Sequence, residues 1–454
     1  MSSLRGRLAA LAGGLALSLA AVAPAWAEVT AFRLANGMQV VAIPDDRAPV
    51  VTHMVWYRVG AADEPAGKSG IAHFLEHLMF KDSLAGPEAD FSRVIAANGG
   101  QDNAFTGEDY TGFFQRIAAD RLELVMGMEA RRMAGLLLSE QEVKSERDVI
   151  LEERGQVVES NPGRVLGELM DAAMYLNHPY RIPIIGWRHE MEGLTREDAL
   201  DFHRDHYSPD NAILVVAGDV TPERVRELAE RTYGVLPPRG AEPRSRTQEP
   251  PALAPRRVAF EDPRVGQPYL VRSYLAPTLR DGLLRAAALE ALADVLGDGL
   301  NSRLQQALVA NGGPAVGAGA WYSGDSRDYA ELSVFVAPKP GVSLAEAEAA
   351  MDRVLAEFLA SEGPEAAELN RIKAGWRASR IYELDSQMAR ARRYGAGLAS
   401  DLTLEQIEAW PDALQAVTAE QVMEAAREVI VPARSVTGWL SAPAADENGK
   451  EVRG

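Results

Sequence analysis

The feature that most narrows how this chain can fold is the stretch Ile71-Ala72-His73-Phe74-Leu75-Glu76-His77-Leu78-Met79-Phe80, where three polar side chains interrupt an apolar run. Residues four apart share one face of a helix, so His73 and His77 can point at the same place, with Glu76 between them. Phe74, Leu75, Leu78 and Met79 cover the other faces, which predicts a helix buried nearly all round. An ionised Glu buried there without a partner would cost several kcal/mol, as an order of magnitude. A dication held by the two imidazoles removes that cost and leaves Glu76 free to reach a nearby water. H-x-x-E-H is the inverse of H-E-x-x-H and is a known catalytic zinc pattern. The bland alternative is two core histidines and a stray acid. With seven histidines in 454 residues, that coincidence arises on the order of once in a hundred chains.

A catalytic zinc usually takes three protein ligands and keeps one position open. Cysteine is absent and every histidine lies at or before His206, so a site with nitrogen ligands must sit in the first half. The segment Ser139–Ser160 reads as a helix opened by a capping box of Ser139 and Glu142. At about 100° per residue, Val143, Glu146, Ile150, Glu153 and Val157 form one stripe, while Glu152 falls on the opposite face beside Lys144. A stripe that is apolar but for two carboxylates faces a core, and buried carboxylates need a cation or donors. Glu146 and Glu153 are both candidates by this argument, and meeting arginines would satisfy them equally. His203 and His206 form a weaker i,i+3 pair.

The N-terminus reads as a leader. Arg5 and Arg7 precede an apolar stretch from Leu8 to Val22, and Ala25-Trp26-Ala27 fits a cleavage site, so the mature chain is expected to start near Glu28 and to be periplasmic. No cysteine follows to carry a lipid anchor, and no later segment offers ~20 uninterrupted apolar residues, so no integral membrane segment is expected after cleavage. The net charge of −18 argues against nucleic acid as a partner.

Two halves of similar length follow. In residues 28–235, strands are expected at 30–34, 39–44, 51–59 and 212–216, and helices near 68–81, 87–98, 119–134, 140–159 and 195–206. Residues 236–256 carry six prolines among Arg and Glu and have the composition of a linker. Residues 257–454 repeat the rhythm, with strands at 269–274 and 331–336 and helices near 281–296, 301–310, 344–361, 365–382 and 418–428. The expected fold is α+β: two similar domains, each a mostly antiparallel sheet with packed helices, in the manner of a degenerate duplication.

The chain resembles the pitrilysin-type zinc peptidases, in particular the branch that includes the β-subunit of mitochondrial processing peptidase and bacterial relatives. The matching stretches are Gly70–Lys81, Asn103-Ala104-Phe105-Thr106, Glu146–Glu153, His178-Pro179-Tyr180, and Tyr207–Asn211 running into Val215–Asp219. They cover most of the first half strongly and the second half weakly. The resemblance implies a zinc endopeptidase with His73, His77 and Glu153 as ligands, Glu76 as general base and Glu146 as a supporting residue. It implies that a peptide substrate adds as a strand beside Asn103, Ala104 and Phe105, which reads main chain without demanding a sequence. It also implies a second half that has no metal of its own.

In one respect the chain departs from the family. Active members close two clam-like halves around the peptide, and in many the half without zinc supplies an Arg and a later Tyr. The corresponding positions fall on Val309 and Val316, which cannot donate a hydrogen bond; a shifted alignment would bring Tyr322 or Tyr329 into play. The expected active form is therefore a heterodimer with a related chain carrying the pair. The alternative is a non-catalytic structural or assembly subunit on the same fold.

Overall fold

The computed structural model describes residues 29–81, 90–241 and 243–443; the leader read from residues 1–27 lies outside them. Strands β1 (Thr30–Arg33), β2 (Gln39–Pro44), β3 (Val50–Tyr57), β4 (Gln101–Thr106), β5 (Thr111–Ala118) and β6 (Ala212–Gly218) form one sheet in the order β1-β2-β6-β3-β5-β4. Strands β7 (Arg256–Glu261), β8 (Tyr269–Ala276), β9 (Ala315–Ser323), β10 (Ala330–Pro338) and β11 (Ser435–Ser441) form the other, in the order β7-β11-β8-β10-β9. Each sheet is antiparallel except for one pair, β2–β6 in the first and β7–β11 in the second. Laid over one another, the orders equate β2 with β7, β6 with β11, β3 with β8, β5 with β10 and β4 with β9. The repetition that the sequence carries only as a rhythm is thus written in the strand order, and among the described residues β1 alone has no counterpart.

Both faces of the first sheet are covered, so β6 is buried at all seven positions and reads as a continuous apolar run. One face carries Val40, Val55 and Leu214 into a core with Phe74, Leu75 and Leu78 of the Ile71–Leu78 helix. The other face carries Val41, Met54, Trp56, Ile213 and Val215, and its cover comes from the second half: Ala391, Tyr394 and Leu398 of the helix Gln387–Ala399. The exchange is reciprocal. The helix Pro162–Met174 of the first half lays Leu166, Met170 and Met174 on Val436 and Leu440 of β11. At each contact a glycine permits the approach. A Cβ on Gly395 would stand 2.1 Å from Trp56 Nε1, and one on Gly438 would stand 2.3 Å from Met170 Sδ.

Between residues 237 and 255 no described residue is in helix or strand, as the prolines require, yet the segment is fastened down. Arg246, only 3% exposed, pairs with Asp63 at 2.8 Å and with Asp109 in the first half, and with Asp328 of the second at 2.8 Å. Arg239 donates to the carbonyls of Met133, Ala134, His203 and Arg204. The composition is that of a linker, and in its contacts the stretch straps the two halves together.

Candidate metal centre

The Ile71–Leu78 helix lacks a side-chain N-cap, because Gly70 holds that position in the left-handed region at φ 85°. Its free N–H groups are met from a distance. The Glu64 carboxylate accepts from Gly70 N at 2.8 Å and from Ala72 N at 2.9 Å, a favourable place for an anion at a helix N-terminus. At the other end, Arg132 donates to the Met79 carbonyl at 3.1 Å. Arg132 is wholly buried, paired with Glu129 at 2.6 Å and set 4.0 Å over the Phe91 ring. The helix is thereby pinned at both ends by residues that no local pattern in the sequence connects to it.

His73 and His77 leave this helix side by side, with ring centroids 4.6 Å apart. The Glu140–Arg154 helix, opened by the expected Ser139–Glu142 capping box, faces them. Glu153 Oε2 lies 3.4 Å from His77 Nε2 and 3.8 Å from His73 Nε2. Among the described residues, His73, His77 and Glu153 are the one set of three such groups whose ligand atoms fall within 4.8 Å of one another. For bonds of about 2.0–2.1 Å, the edge of a zinc tetrahedron is about 3.3 Å, so a two-nitrogen, one-oxygen set at these separations fits a zinc ion.

Glu146 lies deeper, with its side chain 5% exposed. His77 Nδ1 donates to Glu146 Oε1 at 2.9 Å, and Lys81 pairs with the other carboxylate oxygen. Since a carboxylate only accepts, a proton must sit on Nδ1, so the neutral imidazole is the tautomer whose Nε2 can ligate. Burial opposes ionisation of Glu146, but the hydrogen bonds from His77 and Lys81 outweigh it and lower its pKa. Burial pushes His73 down to about 3, helped by its neighbour His77, so its imidazole is neutral and able to ligate. Glu76 is 8% exposed, and Thr106 Oγ1 donates to its Oε2 at 2.6 Å. Burial raises its pKa against the opposing pull of Thr106 and His77.

Thr106 ends β4, which is an edge of the first sheet. The strand containing Asn103, Ala104 and Phe105 therefore runs up to Glu76 with one side unpaired among the described residues. The Phe105 ring turns to the far face, 4.8 Å from Trp56 and under Arg392. Glu152 points away and accepts from Gln156. Val157, placed on the buried stripe by a regular helical period, is 47% exposed. A π-helical turn over Gly155–Glu159 directly after the helix shifts the register there.

His203 and His206 serve the fold. His203 Nε2 donates to the Arg132 carbonyl at 2.9 Å, and burial pushes its pKa down to about 4. His206 packs on Phe202. In the second half, Val309 ends a π turn at Gln305–Val309 and Val316, 49% exposed, lies in β9. The two tyrosines of the shifted alignment are committed elsewhere: Tyr322 donates to the Pro277 carbonyl, and Tyr329 bonds Glu249 N at 3.0 Å.

Comparison with known proteins gives concordant matches. Residues 39–187 match the family described as "Insulinase (Peptidase family M16)" and residues 193–375 the "Peptidase M16 inactive domain". The "Zinc protease PqqE" of Helicobacter pylori is 32% identical over 358 residues, covering 78% of this chain and 79% of that protein. Among solved structures, a protease from Helicobacter pylori superposes with a TM-score of 0.84 at 28% identity, over 91% of this chain and 99% of that one. The periplasmic protease PqqL from Escherichia coli superposes at a TM-score of 0.78 and 18% identity, a likeness of fold; 91% of this chain covers 47% of it.

Proposed function

Because this chain belongs to the insulinase-type M16 peptidases, the pitrilysin-type family that its motifs resemble, we propose that it is a zinc-dependent endopeptidase acting on unstructured peptides. The observation that carries the reading is the meeting of His73, His77 and Glu153 within 4.8 Å, with Glu76 on the same helix as the two histidines. Bound there, zinc supplies a Lewis acid that polarises a carbonyl and acidifies a water. The chain's own groups do the rest. Glu146 fixes the His77 tautomer. Glu76 takes a proton from the water and delivers it to the leaving amine, so no covalent intermediate is needed. The open side of β4 receives the substrate as an added strand through the main chain of Asn103, Ala104 and Phe105, which favours extended peptides.

The reading extends to a partner. Val309 and Val316 offer no donor where many family members hold the substrate with Arg and Tyr, and one such donor is worth a factor of ~10²–10³ in rate. PqqL is a single chain about twice as long as this one. The active form is accordingly a heterodimer with a related chain that carries the pair. The leader over residues 1–27 supports a periplasmic location, and no helix among the described residues is long and apolar enough to cross a membrane.

The test is to incubate zinc-loaded protein, alone and with a pair-bearing relative, with a library of unstructured peptides and to read fragments by mass spectrometry. Fragments that need the relative and vanish with a chelator are expected. Full cleavage by the chain alone would remove the partner and keep the peptidase. No fragments in either arm would favour the non-catalytic subunit.

A further inference from the structure

We infer that Thr106 is a positioning residue for Glu76, tying the general base to the rim strand β4 that would take the substrate's main chain. The inference rests on the peptidase reading above. Thr106 Oγ1 donates to Glu76 Oε2 at 2.6 Å, and Thr106 is the last residue of β4. A carboxylate has two oxygens. With Oε2 held by the threonine, Oε1 is the one left to accept a proton.

The hold on Glu76 is only as good as the hold on Thr106, and the structure fixes it from behind. Thr106 pairs across the hairpin with Thr111, whose hydroxyl donates to the Val59 carbonyl at 3.0 Å. Gly107, the next residue, donates to Tyr110 O and accepts from Ala61 N at 3.0 Å. The approach is so close that a Cβ on Gly60 would stand 2.3 Å from the Gly107 carbonyl oxygen. Threonine suits the position because a β-branched side chain in a strand keeps few χ1 choices, so its hydroxyl stays aimed.

A Glu side chain has three rotatable bonds, and ordering it costs conformational entropy. A single strong charge-assisted bond is what keeps the Glu76 carboxylate in one place. Because that bond comes from β4, a peptide that adds to the strand and the base that serves it share one frame.

The experiment compares wild type with Thr106→Val, which keeps the shape and deletes the hydroxyl, and with Thr106→Ser, which restores it. Two readouts decide. The first is the crystal structure of each zinc-loaded protein. The Glu76 carboxylate is expected to be single and ordered in wild type and in Thr106→Ser, and displaced or split in Thr106→Val; an unmoved carboxylate in Thr106→Val overturns the inference whether or not the protein turns over. The second is kinetic, on the preparation that cleaves. Thr106→Val should lower kcat ten- to a hundredfold with KM within about threefold and one zinc per chain retained, and Thr106→Ser should recover most of the loss. A Thr106→Val kcat equal to wild type, or a Thr106→Ser that recovers none of the loss, refutes the inference. Should wild type cleave nothing in any preparation, the peptidase reading fails, and the crystallographic readout still decides the positioning.

Discussion

Glu146 offers a sharp test of how the metal centre is held. One of its oxygens accepts from His77 Nδ1 at 2.9 Å and the other meets Lys81, and its side chain is 5% exposed. Glu146→Ala removes the acceptor of the Nδ1 proton and frees His77 to adopt the tautomer that cannot ligate through Nε2. Loss of such a partner costs metal affinity about 10–100-fold, equivalent to about 1.4–2.7 kcal/mol. Glu146→Gln keeps a carbonyl oxygen for Nδ1 but loses the negative charge, so it belongs near the tenfold end, and Ala near the hundredfold end. Lys81 adds little to either number, because at 39% exposure it can turn to water. Zinc Kd is measured by competition with a chromophoric chelator at one pH, with circular dichroism to check folding. The expected order of affinity is wild type, then Gln, then Ala. Equal Kd values for all three would refute the account of Glu146, and with it the tautomer argument.

Glu153→Gln should strip most zinc from the purified protein while Glu152→Gln retains it, as read by elemental analysis; equal metal contents would reject Glu153 as the ligand. Gly395→Ala should destabilise by about 1–3 kcal/mol in urea denaturation, since its Cβ would press on the buried Trp56 and outweigh the usual gain in helix propensity; a more stable variant would show that the helix Gln387–Ala399 does not pack as described. Burial, then the nearby Asp294 and Asp325, push the Glu290 carboxyl up to about 7 from its ordinary 4.5. A raised acid binds more protons folded than unfolded, so this group's contribution is lost as pH rises from 4.5 through 7. Glu290→Gln should therefore flatten part of the fall in stability between those pH values, and an unchanged slope would contradict the assignment.

What was legible in the sequence was whatever depends on short-range pattern. The helix of His73, Glu76 and His77, the capped helix facing it and the apolar run of β6 all followed from periodicity. Glu146 and Glu153 emerged together from the stripe, and only the family resemblance separated a ligand from its support. What escaped depends on tertiary approach. The edge strand β9 is rich in Gly and Ala and lacks a strand signal. The helix Pro162–Met174 carries Gly163 and Gly167, which weaken its pattern, although Asn161 followed by Pro162 was a usable start signal. Glu64 and Arg132 pin the metal helix from 6 and 53 residues away. The π turn moved Val157 out to solvent, which no regular period could foresee. The strap from 237 to 255 hid its fastening because Arg246 finds its partners in three distant segments.

The central claim is that Glu76 does chemistry at a metal that His73, His77 and Glu153 hold. The measurement that reaches it most directly is the zinc content and peptide turnover of Glu76→Gln, determined on the same preparation alongside active wild type. The account predicts one zinc per chain and turnover lost. Cleavage at the wild-type rate with the metal in place would contradict it.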